Sequence, residues 1–195
     1  DIPLVNMLEA NDYAVYDGKQ PLTKPINFSP ITYGCAGLIP ADTTAWDKPY
    51  SPLFKYSWSK VYPALLEAQK VNEVNPFDGI FMKYSNPLTG GHVMQTMSAS
   101  MQLLPAGFKG KAHKHTGSFV YQCAKGKGYS IINGKRFDWK ERDIFCVPSW
   151  AWHEHHNSSE TEDACLFNFN DLPVIEGLGL FQSREFEENN GHQLQ

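Results

Sequence analysis

The sequence predicts an all-β domain of the barrel or sandwich type, and three observations carry that expectation. Short alternating or aromatic-rich segments recur between Val93 and Phe169, each closed by turn residues after a few positions. Two of them flank Asn133-Gly134, a dipeptide suited to the positive φ angles of a tight hairpin turn. His113 and His115 share one such segment at a spacing that puts both rings on the same face of a strand, and His153 falls on another.

A chain of 195 residues, 42% hydrophobic and 13% aromatic, suffices for one domain with a buried core. The net charge of −4 is spread without long runs of one sign, so nucleic acid and membrane surfaces are not expected partners. No apolar stretch approaches the roughly 20 residues of a spanning helix. The opening Asp1-Ile-Pro-Leu-Val lacks an initiator Met and the basic and apolar regions of a secretion signal, which reads as a trimmed or excised beginning with something missing upstream. Cys35, Cys123, Cys146 and Cys165 form no Cys-x-x-Cys pair and read as reduced, mostly buried thiols of a cytoplasmic protein.

Nine of the thirteen prolines precede residue 77. Proline removes a backbone donor and fixes φ, so residues 1–48 are expected as an extended strap or linker, with a short helix possible at Leu4–Glu9. Leu65, Leu66, Ala68 and Val71 fall near helical spacing, predicting a helix over 62–72 with Pro63 in its first turn. The turn Asn86-Pro-Leu-Thr-Gly-Gly91 leads into an alternating run, Val93–Leu104, and Pro105-Ala-Gly107 turns again before the His113/His115 strand. Further strands are expected at Ser118–Cys123, Tyr129–Ile132, Lys135–Trp139, Asp143–Pro148 and Ala164–Phe169. The domain is thus placed at 49–182, with a C-terminal tail at 183–195.

Gly107 is followed by five residues, His113-x-His115, three residues to Phe119 and six to Gly126. Later, Arg142 is followed by five residues, Pro148-x-Trp150, two residues to His153 and three to Asn157. These spacings resemble the paired motifs of the cupin superfamily, which implies a double-stranded β-helix (jelly-roll) barrel with His113, His115 and His153 as metal ligands. Two departures matter. Phe119 stands where many cupins carry a glutamate ligand, and Arg142 and Trp150 stand where the second motif has glycines. Three imidazoles leave coordination positions open, as a catalytic site requires, and suit iron(II), zinc, copper or nickel without choosing among them. A lone His-x-His on a strand is more often a surface or outlying feature than metal-bound; here the third histidine, the intervening hairpin and the glycine and proline positions all point to metal binding.

The segments Asn86–Gly91, His113–Ser118, Phe137–Trp139, Val147–His155 and Phe169–Pro173 resemble gentisate 1,2-dioxygenase and the related salicylate and 1-hydroxy-2-naphthoate dioxygenases. That resemblance implies a bicupin of two cupin halves, assembled as a homo-oligomer. It would use Fe(II) and O2 to open an aromatic ring between the carbons bearing hydroxyl and carboxylate, as from gentisate to maleylpyruvate. Tyr121 occupies the position where the family's N-terminal cupin usually has an arginine for the substrate carboxylate, so this chain resembles the C-terminal half, with an N-terminal cupin half as its partner. The resemblance gives His155 a proton or oxygen-steadying role, against the alternative of a solvent-facing rim shared with His156. It places Gln102 at the substrate pocket, with Phe119 and Tyr121 lining the interior or simply filling the core. Trp150 and Trp152 are expected beside the metal strand or at an interface; His92 and His192 lie outside the motifs and read as incidental. Two other readings stay open. One is a non-catalytic metal-binding cupin that stabilises the oligomer and shapes a partner's active site. The other is a stand-alone cupin acting on a different small acid.

Overall fold

A computed structural model describes residues 28–34, 37–42, 46 and 48–194. The helix expected at Leu4–Glu9 and most of the strap lie outside the described residues. Helix α1 (Phe28–Tyr33) is followed by α2 (Trp58–Val71), which starts four residues before the helix expected from periodicity. Pro63 therefore sits inside α2 rather than in its first turn. The carbonyl it leaves without a donor, four residues earlier, belongs to exposed Ser59, where water can serve it. Leu65, 1% exposed, packs with Ile80, Met101, Leu103 and Cys165, so the apolar stripe of α2 covers the outer face of a sheet.

Ten strands follow: β1 (Ile80–Lys83), β2 (Ser98–Leu104), β3 (His113–His115), β4 (Phe119–Lys125), β5 (Lys127–Ile132), β6 (Lys135–Lys140), β7 (Ile144–Val147), β8 (His153–Asn157), β9 (Ala164–Asn170) and β10 (Ser183–Glu185). Helix α3 (Leu172–Gly177) lies between the last two. The strands form two five-stranded antiparallel sheets, ordered β1-β2-β9-β4-β7 and β10-β3-β8-β5-β6. Between them lies a core of Leu104, Phe119, Tyr121, Val147, Leu166 and their neighbours. This is the jelly-roll arrangement in which paired sheets bury one face of each strand.

Local chemistry explains the details. Asn133 and Gly134 take φ of 47° and 75°, closing the β5–β6 hairpin with Ile132 opposite Lys135. The expected run from Val93 becomes strand only at Ser98, because Val93 turns its carbonyl to the Ser51 N–H instead. Strands β2 and β8 are buried on both faces, β2 beneath α2 and β8 beneath the C-terminal segment. That segment, expected as a tail, supplies β10 at the edge of β3, pairing Ser183 with His115 and Glu185 with His113. Among the described residues, Cys123, Cys146 and Cys165 are free thiols. No helix there is long and apolar enough to cross a membrane.

Candidate metal centre

His113 and His115 project from one face of β3, and the register sets His153 of β8 directly opposite His113. The ring centroids stand 4.3 Å apart for His113 and His153, 4.9 Å for His115 and His153, and 5.4 Å for His113 and His115. One nitrogen from each ring lies within 4.8 Å of the other two. Backbone carbonyls fix two of the tautomers: His153 Nδ1 donates to Ala151 O at 2.9 Å and His115 Nδ1 to Thr116 O at 3.2 Å. Each then turns the lone pair of Nε2 away from the backbone. His153 Nε2 is buried and has no hydrogen-bond partner. Burial, reinforced by the neighbouring histidines, holds His153 well below the usual histidine range, and burial lowers His115 too. Neutral imidazoles converging through an orphaned lone pair fit a divalent transition metal, and the carbonyl contacts orient the rings for it.

The glutamate position of the motif is filled by an aromatic ring: Phe119 packs 4.6 Å from His115. A carboxylate reaches the site from elsewhere. Asp78 lies with Oδ1 3.9 Å from His113 Nε2 and accepts a 2.7 Å hydrogen bond from Gln102 Nε2. Asp78 escaped the motif reading because it belongs to a turn, in which Asn75 Oδ1 accepts from the Phe77 and Asp78 N–H groups. Only the turn signature Asn75-Pro-Phe-Asp-Gly79 marks it in sequence. Gln102 is fully buried behind Asp78, with Oε1 unpartnered.

A cavity of about 400 Å³ opens beside the triad, lined by Asp78, His113, His115, Phe119, Tyr121 and Arg184 among others. Tyr121 is 2% exposed, stacked on Phe145 at 5.1 Å and 4.7 Å from His155; burial raises its phenol well above the usual range. His155 shares the inward face with His153 but is wholly buried, not at a rim. Its Nδ1 meets Ser130 Oγ at 2.7 Å, and that oxygen also accepts from Trp139 Nε1 at 2.9 Å. Burial pushes His155 down to about 3, so its ring is neutral.

The histidines outside the motifs have partners. His92 bridges Ser98 Oγ and Glu176 Oε2, each at 3.0 Å, tying the turn before β2 to α3. His192 meets Glu154 on the far face of β8 at 3.0 Å. Lys114, pointing away from the triad, sits over the rings of Trp150 and Trp152 at 4.7 and 4.4 Å.

Residues 100–169 match the cupin domain family. The chain is 36% identical over its whole length to 5-aminosalicylate 1,2-dioxygenase of Comamonas sp, covering 51% of that protein. It is 35% identical to gentisate 1,2 dioxygenase 1 of Aquipseudomonas alcaligenes over 93% of the chain and 51% of the relative. Salicylate 1,2-dioxygenase from Pseudaminobacter salicylatoxidans superposes with a TM-score of 0.76 at 26% identity, over 91% of this chain and 53% of that one. A mutant of that enzyme, solved in complex with gentisate, gives a TM-score of 0.73 at 28% identity over 87% of this chain and 46% of that one. The chain spans about half the length of the curated relatives it matches. Its fold, its paired motifs and these matches agree: the chain is a cupin domain of the gentisate 1,2-dioxygenase family.

Proposed function

We propose that this domain is the metal-bearing C-terminal cupin of an Fe(II)-dependent ring-cleaving dioxygenase acting on ortho-hydroxy aromatic carboxylates such as gentisate, salicylate or 1-hydroxy-2-naphthoate. The observation that carries the reading is the convergence of three imidazoles beside a ligand-sized cavity, in a domain of this family. Iron(II) held by His113, His115 and His153 would supply a centre at which O2 and a chelating aromatic acid meet. Phe119 and Tyr121 offer flat apolar walls to a ring, while Lys83 and Arg184 at the cavity offer cations to a carboxylate. Gln102 holds Asp78 beside His113, so the carboxylate keeps its place as substrate enters. The working protein is then a two-cupin polypeptide in a cytoplasmic homo-oligomer, with an N-terminal cupin half beside this one.

A second reading has its own observation. Tyr121 is locked in an aromatic stack with Phe145, and Asp78, Glu176 and Glu185 outnumber the two cations around the cavity. In that reading the domain binds metal, braces the oligomer and shapes the site of the partner cupin. The experiment is anaerobic iron(II) reconstitution of the full-length protein, followed by oxygen uptake with each of the three acids. His113→Ala is expected to remove one iron per chain and lower kcat/KM at least 100-fold. Loss of that iron with turnover intact moves the chemistry to the other cupin.

A further inference from the structure

The opposite face of β8 carries a second cluster, outside the triad and its cavity. Glu154 and His156 alternate with His153 and His155, so they point away from the barrel interior. They are nevertheless buried, 0% and 4% exposed, because the C-terminal segment lies over them. That segment is tied down on both sides: the Ala112 N–H donates to Gly191 O at 2.7 Å, and Gln193 Nε2 donates to Ile131 O at 2.9 Å. It delivers His192 to the cluster. His192 Nδ1 lies 3.0 Å from Glu154 Oε2, and His156 Nε2 lies 3.7 Å from Glu154 Oε1. One ligand atom from each of the three residues falls within 4.8 Å of the others.

Hydrogen bonding accounts for only part of this arrangement. Glu154 Oε1 accepts from the Gln193 N–H at 3.3 Å, and Oε2 is met by His192. His156 is different. Its ring is clamped by stacking on Tyr129, with centroids 4.5 Å apart and planes at 11°, yet neither of its buried nitrogens has a hydrogen-bond partner. Buried polar atoms are rarely left unserved, and Nε2 of this ring stands next to a buried carboxylate at a distance too long for a hydrogen bond. A cation between them would accept that lone pair, neutralise Glu154 and take His192 as a third ligand. We propose that Glu154, His156 and His192 form a second divalent-cation site. Two imidazoles and one carboxylate suit a borderline ion of the zinc class. The His192 side chain is 31% exposed, which gives the ion an entry path and leaves room for water as a fourth ligand.

The test uses the full-length protein, equilibrated with Zn(II), desalted and assayed for metal. His192→Ala, which alters the most exposed member, is expected to lose one zinc per chain relative to the wild type. His113→Ala is expected to lose a different one, so that the double variant loses two. His192→Cys loaded with Co(II) should show thiolate-to-cobalt charge-transfer absorption in the near ultraviolet, which places residue 192 in the coordination sphere. If His192→Ala retains the wild-type circular dichroism and the wild-type zinc content, and His192→Cys gives no such band, the cluster is a hydrogen-bonded carboxylate and the proposal fails. Failure of the triad to bind metal would leave this result untouched, because the two sites occupy opposite faces of β8.

Discussion

Arg142 and Trp150 hold φ of 76° and 64°, in the left-handed region that side chains other than glycine enter at a cost of roughly 1–2 kcal/mol. Both stand where the second cupin motif has glycine, so the backbone course of that motif is retained without the residue that makes it easy. At Trp150 there is compensation, since its ring receives Lys114 at 4.7 Å and its N–H donates to His115 O at 2.8 Å, bracing β3. At Arg142 the backbone N–H donates to Cys123 O at 2.8 Å, a contact that glycine would keep. Arg142→Gly should therefore raise stability by about 0.5–1 kcal/mol in urea unfolding, the relief of strain outweighing the added freedom of the unfolded chain. Arg142→Val should lower it. The opposite order would show that position 142 is not strained.

Among elements, β8 shows most clearly what sequence can and cannot tell. Alternation along His153-Glu-His-His-Asn157 suffices to put His153 and His155 on one face, and the motif spacing suffices to bring His153 to His113. Nothing local says that the other face is also buried, because its cover comes from His192 and Gln193, which meet Glu154 from 38 and 39 positions away. Asp78 and β10 were hidden for the same reason: each reaches the triad from a turn or short strand with no periodicity of its own. The β5–β6 hairpin, by contrast, was legible in Asn133-Gly134 because its turn is specified by two adjacent residues. The neighbouring strand has a tight point that sequence also conceals. A methyl group on Gly128 would approach the His156 carbonyl and the Trp139 ring far inside van der Waals contact. Gly128→Ala should cost about 1–3 kcal/mol or more, read as a lowered urea midpoint with loss of near-ultraviolet tryptophan circular dichroism. An unchanged midpoint would mean that β5 can slide away from β6 and β8.

For the molecule as a whole, the two sheets bury acidic groups whose ionisation folding must suppress. Burial pushes the Cys123 and Cys165 thiols up to about 12, against about 8.5 in an unfolded chain. Above the lower value the unfolded chain releases protons that the folded one keeps. Stability from these groups is thus complete below about pH 8.5 and is lost as pH rises towards 12, at up to about 1.4 kcal/mol per pH unit for each thiol. Urea unfolding at pH 8 and pH 10.5 should show this decline, and the double variant Cys123→Ala, Cys165→Ala should flatten it. A slope that survives the double variant would assign the alkaline loss to other groups.

The pairing of β3 with β10 also bears on when the three-histidine face comes into being. Thr116 and Gln182 exchange hydrogen bonds across 66 positions of chain, so the edge that flanks His113 and His115 depends on contacts of long sequence separation. Contacts of such long sequence separation form slowly, because the entropy of closing the loop is lost before they reward it. A metal ion that needs His113, His115 and His153 together would then act late, by slowing the unfolding of a finished barrel and not by nucleating it.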